Sequence, residues 1–447
     1  MSDQFTYNQE ELKSIAQDTV ILAKKMGADE VSINISEAIG LSVNVRNANP
    51  EQSEYAHDNS LNIALSINKK NGNASTNDLT QASIKASIQA ALDFAKHTSI
   101  DEYSGLPEKK DLASEFRNLE LFHPWDISIS KAIEFCQKYE ALALTQDSRI
   151  KQAEGFQLSS SSSQTIYANS LDFVNSELFT YHNIACALIA EDKNGMQRDF
   201  WVEDSRLALS FDKFAKTAIT AAKRTVRRLE PKKITTGNYP VIFENTIANG
   251  LISALVAAIS GSALYRQTTF LPDSIGKLVM NRNINIYENP FILREMASKN
   301  CDNEGVAVKE RQLINCGELQ GYFLGSYSAR KLKMKTTGNS GGHHNLEVVD
   351  VASNLSTDEI INSINKGFLI TETLGHGINM VTGDYSVGAC GFLIENGKIA
   401  HPVEEVTIAG NLKDMFINIK AISSDGKYRG GIKCGAILIE PMTVASN

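Results

Sequence analysis

The run EVSINIS, residues 30–36, alternates apolar and polar side chains, and the runs LSVNVR (41–46) and LNIALSIN (61–68) repeat the pattern. Alternation with a period of two is typical of strands that bury one face and expose the other. Asn71–Gly72 follows the third run, and this dipeptide is a strong signal for a two-residue hairpin turn. Together these features predict an antiparallel meander near the start of the chain.

Two predicted helices enclose this meander. Asn8 and Glu11 form a capping-box pattern, and apolar residues then recur at helical spacing until Gly27. The apolar residues in question are Leu12, Ile15, Ala16 and Val20. A second helix is predicted at about 80–97. Because each helix has one apolar face, we expect both to cover the sheet.

The order of helix, meander and helix recurs further along the chain. Helical periodicity covers about 129–145 and 211–229. Strand-like runs lie between them at about 164–175, 183–191 and 197–203. The low-complexity run LSSSSSQ, 158–164, is predicted to be a strand edge or a loop. We therefore predict two helix–meander–helix units, at about 1–110 and 120–235.

Residues 236–447 are predicted to form a second domain. It begins with a strand-like run, YPVIF (239–243), and continues with a helix at about 246–260 and short strands joined by glycine-rich turns. In FLIENGKI, Asn396–Gly397 is a second predicted hairpin turn. The predicted fold class is α+β: helix-backed antiparallel sheets in an N-terminal domain at 1–235, followed by a β-rich C-terminal domain.

Composition limits the class of protein. Of 447 residues, 42% are hydrophobic and 21% are charged, and no apolar run is long enough to cross a bilayer. The polar start MSDQFTYNQEELK lacks the order of a secretion signal. The chain has six cysteines and no CxxC pair. This pattern favours a reducing cytoplasm, and we predict that all six cysteines are buried structural thiols. A cytoplasmic location without a membrane span is therefore expected.

The net charge of −8 argues against general affinity for nucleic acid. The basic run KRTVRRLEPKK (223–233) is the one feature that could hold DNA, with Arg227 and Arg228 at its centre. It also lies at a predicted helix C-terminus, where basic side chains are favourable without any ligand. We favour the second interpretation.

The run KTTGNSGGHHN, residues 335–345, contains the adjacent pair His343 and His344 behind three glycines. Neighbouring side chains diverge in a strand, which disfavours joint metal ligation, although a loop could bring them together. Gly341 and Gly342 allow close approach of an extended peptide or an anion, or simply a turn with positive φ. A metal site and a binding loop both remain open.

A second polar cluster lies at Thr382–Gly383–Asp384, a sequence typical of turns. Asp384 could serve as a general acid or base, but such roles need a perturbed pKa, which a sequence does not reveal. The ordinary interpretation of Asp384 is a turn former.

Long stretches resemble the PmbA (TldE) branch of the TldD/PmbA peptidase family. They are SYSARKLKMKTTGNSGGHHN (326–345), GHGINMVTGDYSVGACGFLIENG (375–397), PVEEVTIAGNLKDM (402–415) and GLISALVAAISGSALYRQTTFLPDSIGK (250–277). The resemblance implies a subunit of a cytoplasmic metallopeptidase complex that trims unfolded peptides, with links to peptide maturation, antitoxin turnover and DNA gyrase. It also implies a TldD-type partner, in which a helix with the pattern HExxxH holds zinc together with a later cysteine.

This chain departs from the zinc pattern. The matching positions carry Glu244, Asn245 and Asn249, and Cys434 lies in a different context from the family's cysteine. The resemblance therefore implies no cofactor in this chain and zinc in the TldD-type partner. An autonomous metal-dependent peptidase using His343 and His344 remains the alternative, and the sequence leaves self-association open.

No catalytic residue is assigned with the sequence alone. The residues predicted to bind substrate are Asn339, Gly341, Gly342, His343, His344, Thr382 and Asp384.

Overall fold

The structure, a computed structural model, describes residues 5–446. In its N-terminal half, helices precede and follow each group of three strands. The elements are α1 (Gln9–Lys25), β1 (Glu30–Arg46), β2 (Asn49–Ile67), β3 (Lys70–Thr76), α2 (Gln81–His97), a 3-10 helix (Lys109–Asp111), α3 (Ile129–Leu144), β4 (Ile150–Asn169), β5 (Phe173–Asp192), β6 (Gly195–Ser205) and α4 (Phe211–Val226).

The six N-terminal strands form one antiparallel sheet in the order β3-β2-β1-β4-β5-β6. The central pair is β1 and β4, which stay in register from Ser32 opposite Asn169 to Val45 opposite Phe156. The two groups of strands therefore share a single sheet. Each half of that sheet is covered by its own pair of helices, α1 and α2 or α3 and α4, and each has its own apolar core.

The helix starts follow the local sequence. Asn8 accepts a hydrogen bond from the backbone of Glu11, whose side chain accepts one from the backbone of Asn8, so the predicted capping box is present. Thr80 and Ser128 cap α2 and α3 in the simpler way, with one side-chain acceptor each. No helix within residues 5–446 combines the length and the apolar character needed to span a membrane.

The serine-rich run is the middle of a central strand, so its prediction as an edge or loop was wrong. Residues 158–164 lie within β4 and pair with both β1 and β5. Ser160 is buried there, and its hydroxyl lies 2.8 Å from Nδ1 of the buried His182. Because the hydroxyl has a partner, a serine is tolerated inside the sheet. The predicted strand at 164–175 likewise crosses a turn, since β4 ends at Asn169 and β5 begins at Phe173.

The first predicted hairpin turn was misplaced. The β2–β3 turn is formed by Asn68 and Lys69, with φ of 48° and 62°, while Gly72 lies within β3. A Cβ on Gly72 would lie 1.8 Å from the carbonyl oxygen of Ala91 on α2. The glycine is needed because the helix packs closely on the strand.

The C-terminal half is dominated by strands. Its elements are β7 (Gly237–Phe243), α5 (Asn245–Ala258), α6 (Gly261–Tyr265), β8 (Ile284–Asn289), β9 (Arg311–Asn315), β10 (Glu318–Leu319), α7 (Ser326–Lys331), β11 (Asn345–Asp350), α8 (Thr357–Asn362), β12 (Lys366–Leu374), β13 (Asp384–Glu395), β14 (Lys398–Asn411), α9 (Leu412–Ile417), β15 (Ile419–Ile422), β16 (Lys427–Arg429), β17 (Ile432–Cys434) and β18 (Ile437–Ser446).

These strands form two six-stranded sheets, ordered β10-β9-β8-β11-β17-β16 and β14-β13-β12-β7-β18-β15. The second sheet closes on itself because β14 also pairs with β18. Two pairs, β7 with β12 and β11 with β17, are parallel. The predicted hairpin turn at Asn396–Gly397 is confirmed, with φ of 51° and 73°. The predicted α+β class with a β-rich C-terminal part is confirmed.

The cysteines are unpaired, and five of the six are buried. Cys316 is exposed in the turn between β9 and β10, where its φ is 48°. The prediction of a buried thiol was therefore wrong for Cys316, because the residue lies in a connecting turn, and such turns run over the protein surface.

Candidate functional site

The histidine loop, residues 335–345, folds around a buried carboxylate. Glu288 on β8 has one oxygen, Oε1, 2.8 Å from Nδ2 of Asn339 and 2.9 Å from Nδ1 of His344. Its other oxygen accepts a 2.5 Å hydrogen bond from Nε of Arg311 on β9. Arg311 also donates to Oδ1 of Asn339 at 3.0 Å. We call these four residues the Glu288 network.

The Glu288 network is charged although it lies inside the protein. Glu288 is 2% exposed and His344 is 4% exposed. Burial alone would raise the pKa of Glu288, but the hydrogen bond from His344 and the positive charge of Arg311 lower that pKa to about 2. The carboxylate is therefore ionised over the whole physiological range, which is the form that can accept all these hydrogen bonds.

The glycines of the loop serve its turn. Gly338, Gly341 and Gly342 have φ of 70°, 100° and 117°, a region that other residues enter only with strain. A Cβ on Gly341 would lie 2.3 Å from the side-chain nitrogen of Asn303, whereas one on Gly342 would meet open space. Of the two roles left open for these glycines, the turn with positive φ is observed.

The two histidines of the loop face different partners. While His344 points to Glu288, Nδ1 of His343 lies 2.5 Å from the carbonyl oxygen of His344. The His343 ring is partly exposed and packs against Phe323, with ring centroids 6.3 Å apart. Their ring nitrogens do not converge on a common point.

The second predicted cluster is an exposed turn at the start of β13. The carboxylate of Asp384 accepts hydrogen bonds from the hydroxyl of Thr382 at 2.6 Å and from Nδ2 of Asn411 at 3.1 Å. The hydrogen bond from the Thr382 hydroxyl lowers the pKa of Asp384, and the hydrogen bond from the Asn411 amide lowers it to a smaller extent. Asp384 is thus a solvated turn carboxylate.

The structure brings together some of the predicted site residues. Asn339 and His344 meet in the Glu288 network, and both are buried, so their contacts are internal. The exposed members are Gly341, Gly342, Thr382 and Asp384, with His343 partly exposed. Among the pockets described within residues 5–446, none is lined by both the histidine loop and the Thr382–Asp384 turn. A role of these residues in substrate binding stays a prediction.

The helix on which the resemblance places the metal ligands is α5. Glu244 precedes it, and its carboxylate accepts hydrogen bonds from Arg224 at 2.7 Å and Arg227 at 2.9 Å, both from the end of α4. Burial alone would raise the pKa of Glu244, but these two arginines lower it. Three further ion pairs join this cluster: Arg224 with Asp199, Arg228 with Asp199 and Arg228 with Glu372. We call the whole cluster the Glu244 network.

The basic run thus joins the two halves of the chain. Its arginines 224, 227 and 228 pair with acids on β6, beside α5 and on β12. The sequence predicted that these basic side chains are favourable simply because they lie at a helix C-terminus. In the structure the three arginines also form specific ion pairs with acids.

The residues at these positions do not fit Zn²⁺. Glu244 already lies between two guanidinium groups, which would repel a dication. Asn249 donates from Nδ2 to the carbonyl oxygens of Arg429 and Ile432 at 3.1 and 3.2 Å, and its buried Oδ1 has no partner. Burial raises the pKa of the Cys434 thiol to about 12, which opposes the thiolate that zinc requires. Across residues 5–446, no three His, Cys, Asp or Glu side chains are grouped as metal ligands.

An open pocket of about 230 Å³ lies beside α5. One wall is formed by α5 through Ile247, Gly250 and Leu251, and another by the β12–β13 connection at 375–378, which includes His376. Polar main chain and apolar side chains both line it. The pocket could therefore receive part of an extended chain beside the helix.

Sequence reasoning missed Glu288 and Arg311. The missed signal is alternation: Ile284, Ile286 and Glu288 occupy every second position of β8 and are all buried. A glutamate on the apolar face of a strand indicates a paired buried charge. No comparable signal marks Arg311 before the fold is known.

Two family models match the chain. The PmbA/TldA metallopeptidase central domain matches residues 122–229, and the PmbA/TldA metallopeptidase C-terminal domain matches residues 236–446. The metalloprotease PmbA homologue of Haemophilus influenzae is 38% identical over 443 residues, covering 98% of this chain and 97% of the relative. Metalloprotease PmbA of Escherichia coli O157:H7 is 37% identical over 436 residues, covering 97% of this chain and 96% of the relative.

Solved structures share the fold. One, from Bacteroides thetaiotaomicron, is described as a candidate modulator of DNA gyrase and has a TM-score of 0.92 at 23% identity, covering 98% of this chain and 100% of its own. TldE from Thermococcus kodakarensis has a TM-score of 0.85 at 22% identity, covering 97% of this chain and 100% of its own. With the near full-length relatives above 35% identity, the chain belongs to the PmbA family of PmbA/TldD metallopeptidases.

Proposed function

We propose that this chain is the zinc-less subunit of a PmbA/TldD-type metallopeptidase and that it helps to hold unfolded peptide substrates in a cleft shared with a TldD-type partner. One observation carries the proposal. At the start of α5, where the family resemblance assigns metal ligands, Glu244 is bound by Arg224 and Arg227, and Asn249 donates to main-chain carbonyls. Zinc is then expected in the partner.

Substrate binding is proposed to involve the main chain and the exposed loops. The pocket beside α5 and the exposed Thr382–Asp384 turn offer amides, carbonyls and one carboxylate. Backbone hydrogen bonds to an extended peptide depend little on its side chains, which suits a peptidase of unfolded chains. In the histidine loop, we expect Gly341, Gly342 and His343 to contact the substrate directly, because Asn339 and His344 are buried.

The proposed complex is cytoplasmic. Support comes from the family resemblance and from the six cysteines, none of which forms a disulfide among the described residues.

The test compares the isolated chain with a complex purified with a TldD-type metallopeptidase. We expect zinc at about one ion per complex and none above background in the isolated chain, with cleavage of an unfolded peptide only by the complex. A matched control is the partner alone, which we expect to be less active than the complex. Stoichiometric, tightly bound zinc in the isolated chain would contradict the proposal.

The same experiment decides the alternative of an autonomous peptidase. Cleavage by the isolated chain that is lost in His343→Ala would support that alternative. Direct modulation of DNA gyrase would instead require salt-dependent DNA binding that is lost on neutralising Arg227 and Arg228. Its physical basis is weak, since both arginines already pair with Glu244 and Glu372.

A further inference from the structure

A large cleft of about 570 Å³ lies between the two halves of the chain. One wall comes from β6 and the start of α4, and the other from residues 293–296 and the β16–β17 hairpin, residues 426–433. Six basic and three acidic residues line it. In a chain of net charge −8, the lining carries three more basic than acidic side chains, although Glu120 and Glu347 outside it pair with Arg294 and Lys433. The remaining positive charge favours anions at this place.

Most of the basic residues in this cleft already have partners. Lys213 pairs with Glu203 at 2.9 Å, Lys433 with Glu347 at 2.6 Å, and Arg294 with Glu120 at 3.6 Å. Arg206 donates to the carbonyl oxygens of Thr180 and Met296. Among the described residues, the basic side chains of the wall that have neither an ion pair nor a hydrogen bond are therefore Lys427 and Arg429.

Arg429 differs from most of the other basic residues of the cleft. It is partly buried, yet its guanidinium forms no hydrogen bond and no ion pair with any residue in the described part of the chain. Burial, the largest effect, lowers the pKa of Arg429, as expected for a cation that has lost water without gaining an acceptor. Its five N–H donors remain available for a ligand.

The guanidinium is held in a defined position. It lies over the ring of Trp201, with 4.6 Å between Cζ and the ring centroid, while Arg224 lies 5.5 Å from the same centroid. The indole is itself fixed by a hydrogen bond from Nε1 to Glu203 at 3.1 Å. Stacking on an aromatic ring leaves the N–H edge of a guanidinium free to bind a planar anion.

The hairpin that carries Arg429 also contacts the candidate site. The carbonyl oxygen of Arg429 accepts from Asn249 on α5, and Gly431 accepts from the backbone of Leu346 just after the histidine loop. A Cβ on Gly431 would lie 3.5 Å from Cε1 of His343. The hairpin that lines the cleft is thus also in contact with α5 and lies beside His343.

We propose that Arg429 binds a carboxylate of the peptide substrate in this cleft. A carboxylate matches the flat, two-pronged donor edge of a guanidinium, and it would supply an acceptor that Arg429 does not have among the described residues. Both the C-terminus of a peptide and an acidic side chain offer this group. The inference rests on the proposed function only in that the carboxylate belongs to a peptide.

The test measures binding of fluorescent hexapeptides to the isolated full chain. Three peptides of alanine and glycine are compared: one with a free C-terminal carboxylate, its C-terminal amide, and an amide in which one alanine is replaced by glutamate. We expect at least one carboxylate peptide to bind about tenfold more tightly than the neutral amide, with the difference shrinking as salt rises. Which of the two binds tightly identifies the source of the carboxylate.

Variants assign the preference to Arg429. We expect Arg429→Gln to reduce the difference between carboxylate and amide peptides to within about twofold, and Arg429→Lys to retain part of it because the charge remains but the fork is lost. Arg282→Gln, at an exposed arginine paired with Glu318, is the matched control and should leave the preference unchanged. If Arg429→Gln lowers the melting temperature, the lysine variant provides the comparison.

Three outcomes would overturn the inference. They are equal affinity for all three peptides, a carboxylate preference that survives Arg429→Gln, and no binding of any peptide at millimolar concentration. None of these concerns zinc content or stimulation of a TldD-type partner, so a failure here is distinguishable from a failure of the proposed function.

Discussion

Glu288, which is buried, and Glu244, which is partly buried, are both held by arginine, but their partners come from different parts of the molecule. Glu288 is bound by Arg311, Asn339 and His344, all within the C-terminal half. Glu244 is bound by Arg224 and Arg227 from the N-terminal half. The first network shapes a loop within one region, and the second joins two regions. The same residue types thus have different structural roles, depending on whether their partners lie in the same half of the chain or in the other half.

The two networks also differ in how completely they depend on one residue. Glu288 is the one acid bound by Arg311 and His344 in the Glu288 network. The other hydrogen bonds of Arg311 go to the side chain of Asn339 and to a main-chain carbonyl. In the Glu244 network, Arg224 has Asp199 as a second acid. Removal of the carboxylate should therefore be more costly at residue 288 than at residue 244.

The largest effect is expected for Glu288→Ala. The substitution leaves the partly buried Arg311 without its acid and removes the acceptor of the buried His344 and Asn339, so we expect the free energy of unfolding to fall by about 3–5 kcal/mol. Chemical denaturation measures it. The matched control is Glu318→Ala, which breaks an exposed pair with Arg282 and should cost less than about 1 kcal/mol. Equal losses in the two variants would contradict the assigned role of Glu288.

The next effect is a dependence on pH. The folded-state pKa of Glu288, about 2, lies below its ordinary value of 4.5. Its stabilising contribution is therefore fully present above about pH 4.5 and is lost as pH falls towards 2. We expect the difference in unfolding free energy between the wild type and Glu288→Gln to shrink by up to about 3 kcal/mol across that window. A difference that is constant from pH 5 to pH 2.5 would contradict the ionised network.

A smaller loss is expected for Glu244→Gln. Arg227 loses its acid, but Arg224 keeps Asp199, so we expect a loss of about 2 kcal/mol in unfolding free energy. Because this network joins the two halves, proteolysis between residues 226 and 237 should also become faster. A loss equal to that of Glu288→Ala, or unchanged proteolysis, would remove the distinction between the two networks.

The smallest change in stability is expected for Asp384→Asn. This carboxylate is exposed, and asparagine can still accept from Thr382, so the free energy of unfolding should change by less than about 0.5 kcal/mol. If the turn contacts substrate as proposed, peptide cleavage by the complex with a TldD-type partner should fall while pairing and melting temperature stay the same. Full activity of the variant would exclude Asp384 from the substrate site.

The parts of the fold that depend on neighbours in sequence were predictable. The helices α1 to α4 follow from apolar spacing and, for α1, from the capping box at Asn8 and Glu11. The Asn396–Gly397 turn follows from its dipeptide. The same signal failed at Asn71–Gly72, because the requirement for glycine there comes from α2, which packs against the strand. A short sequence motif therefore predicts the structure well only where contacts between residues close in sequence determine that structure.

The sequence by itself determined the α+β class, the family and the absence of the family's histidine pattern at residues 244–249. Only the tertiary structure decided the partners of the charged groups. The pairing of β1 with β4 joins segments more than a hundred residues apart, and Glu244 meets Arg224 only when the two halves pack. Burial and partners set the behaviour of a charge, and both depend on contacts between distant residues. For that reason His344 is internal and Arg429 has no acceptor within residues 5–446, although both look like ordinary polar residues in the sequence.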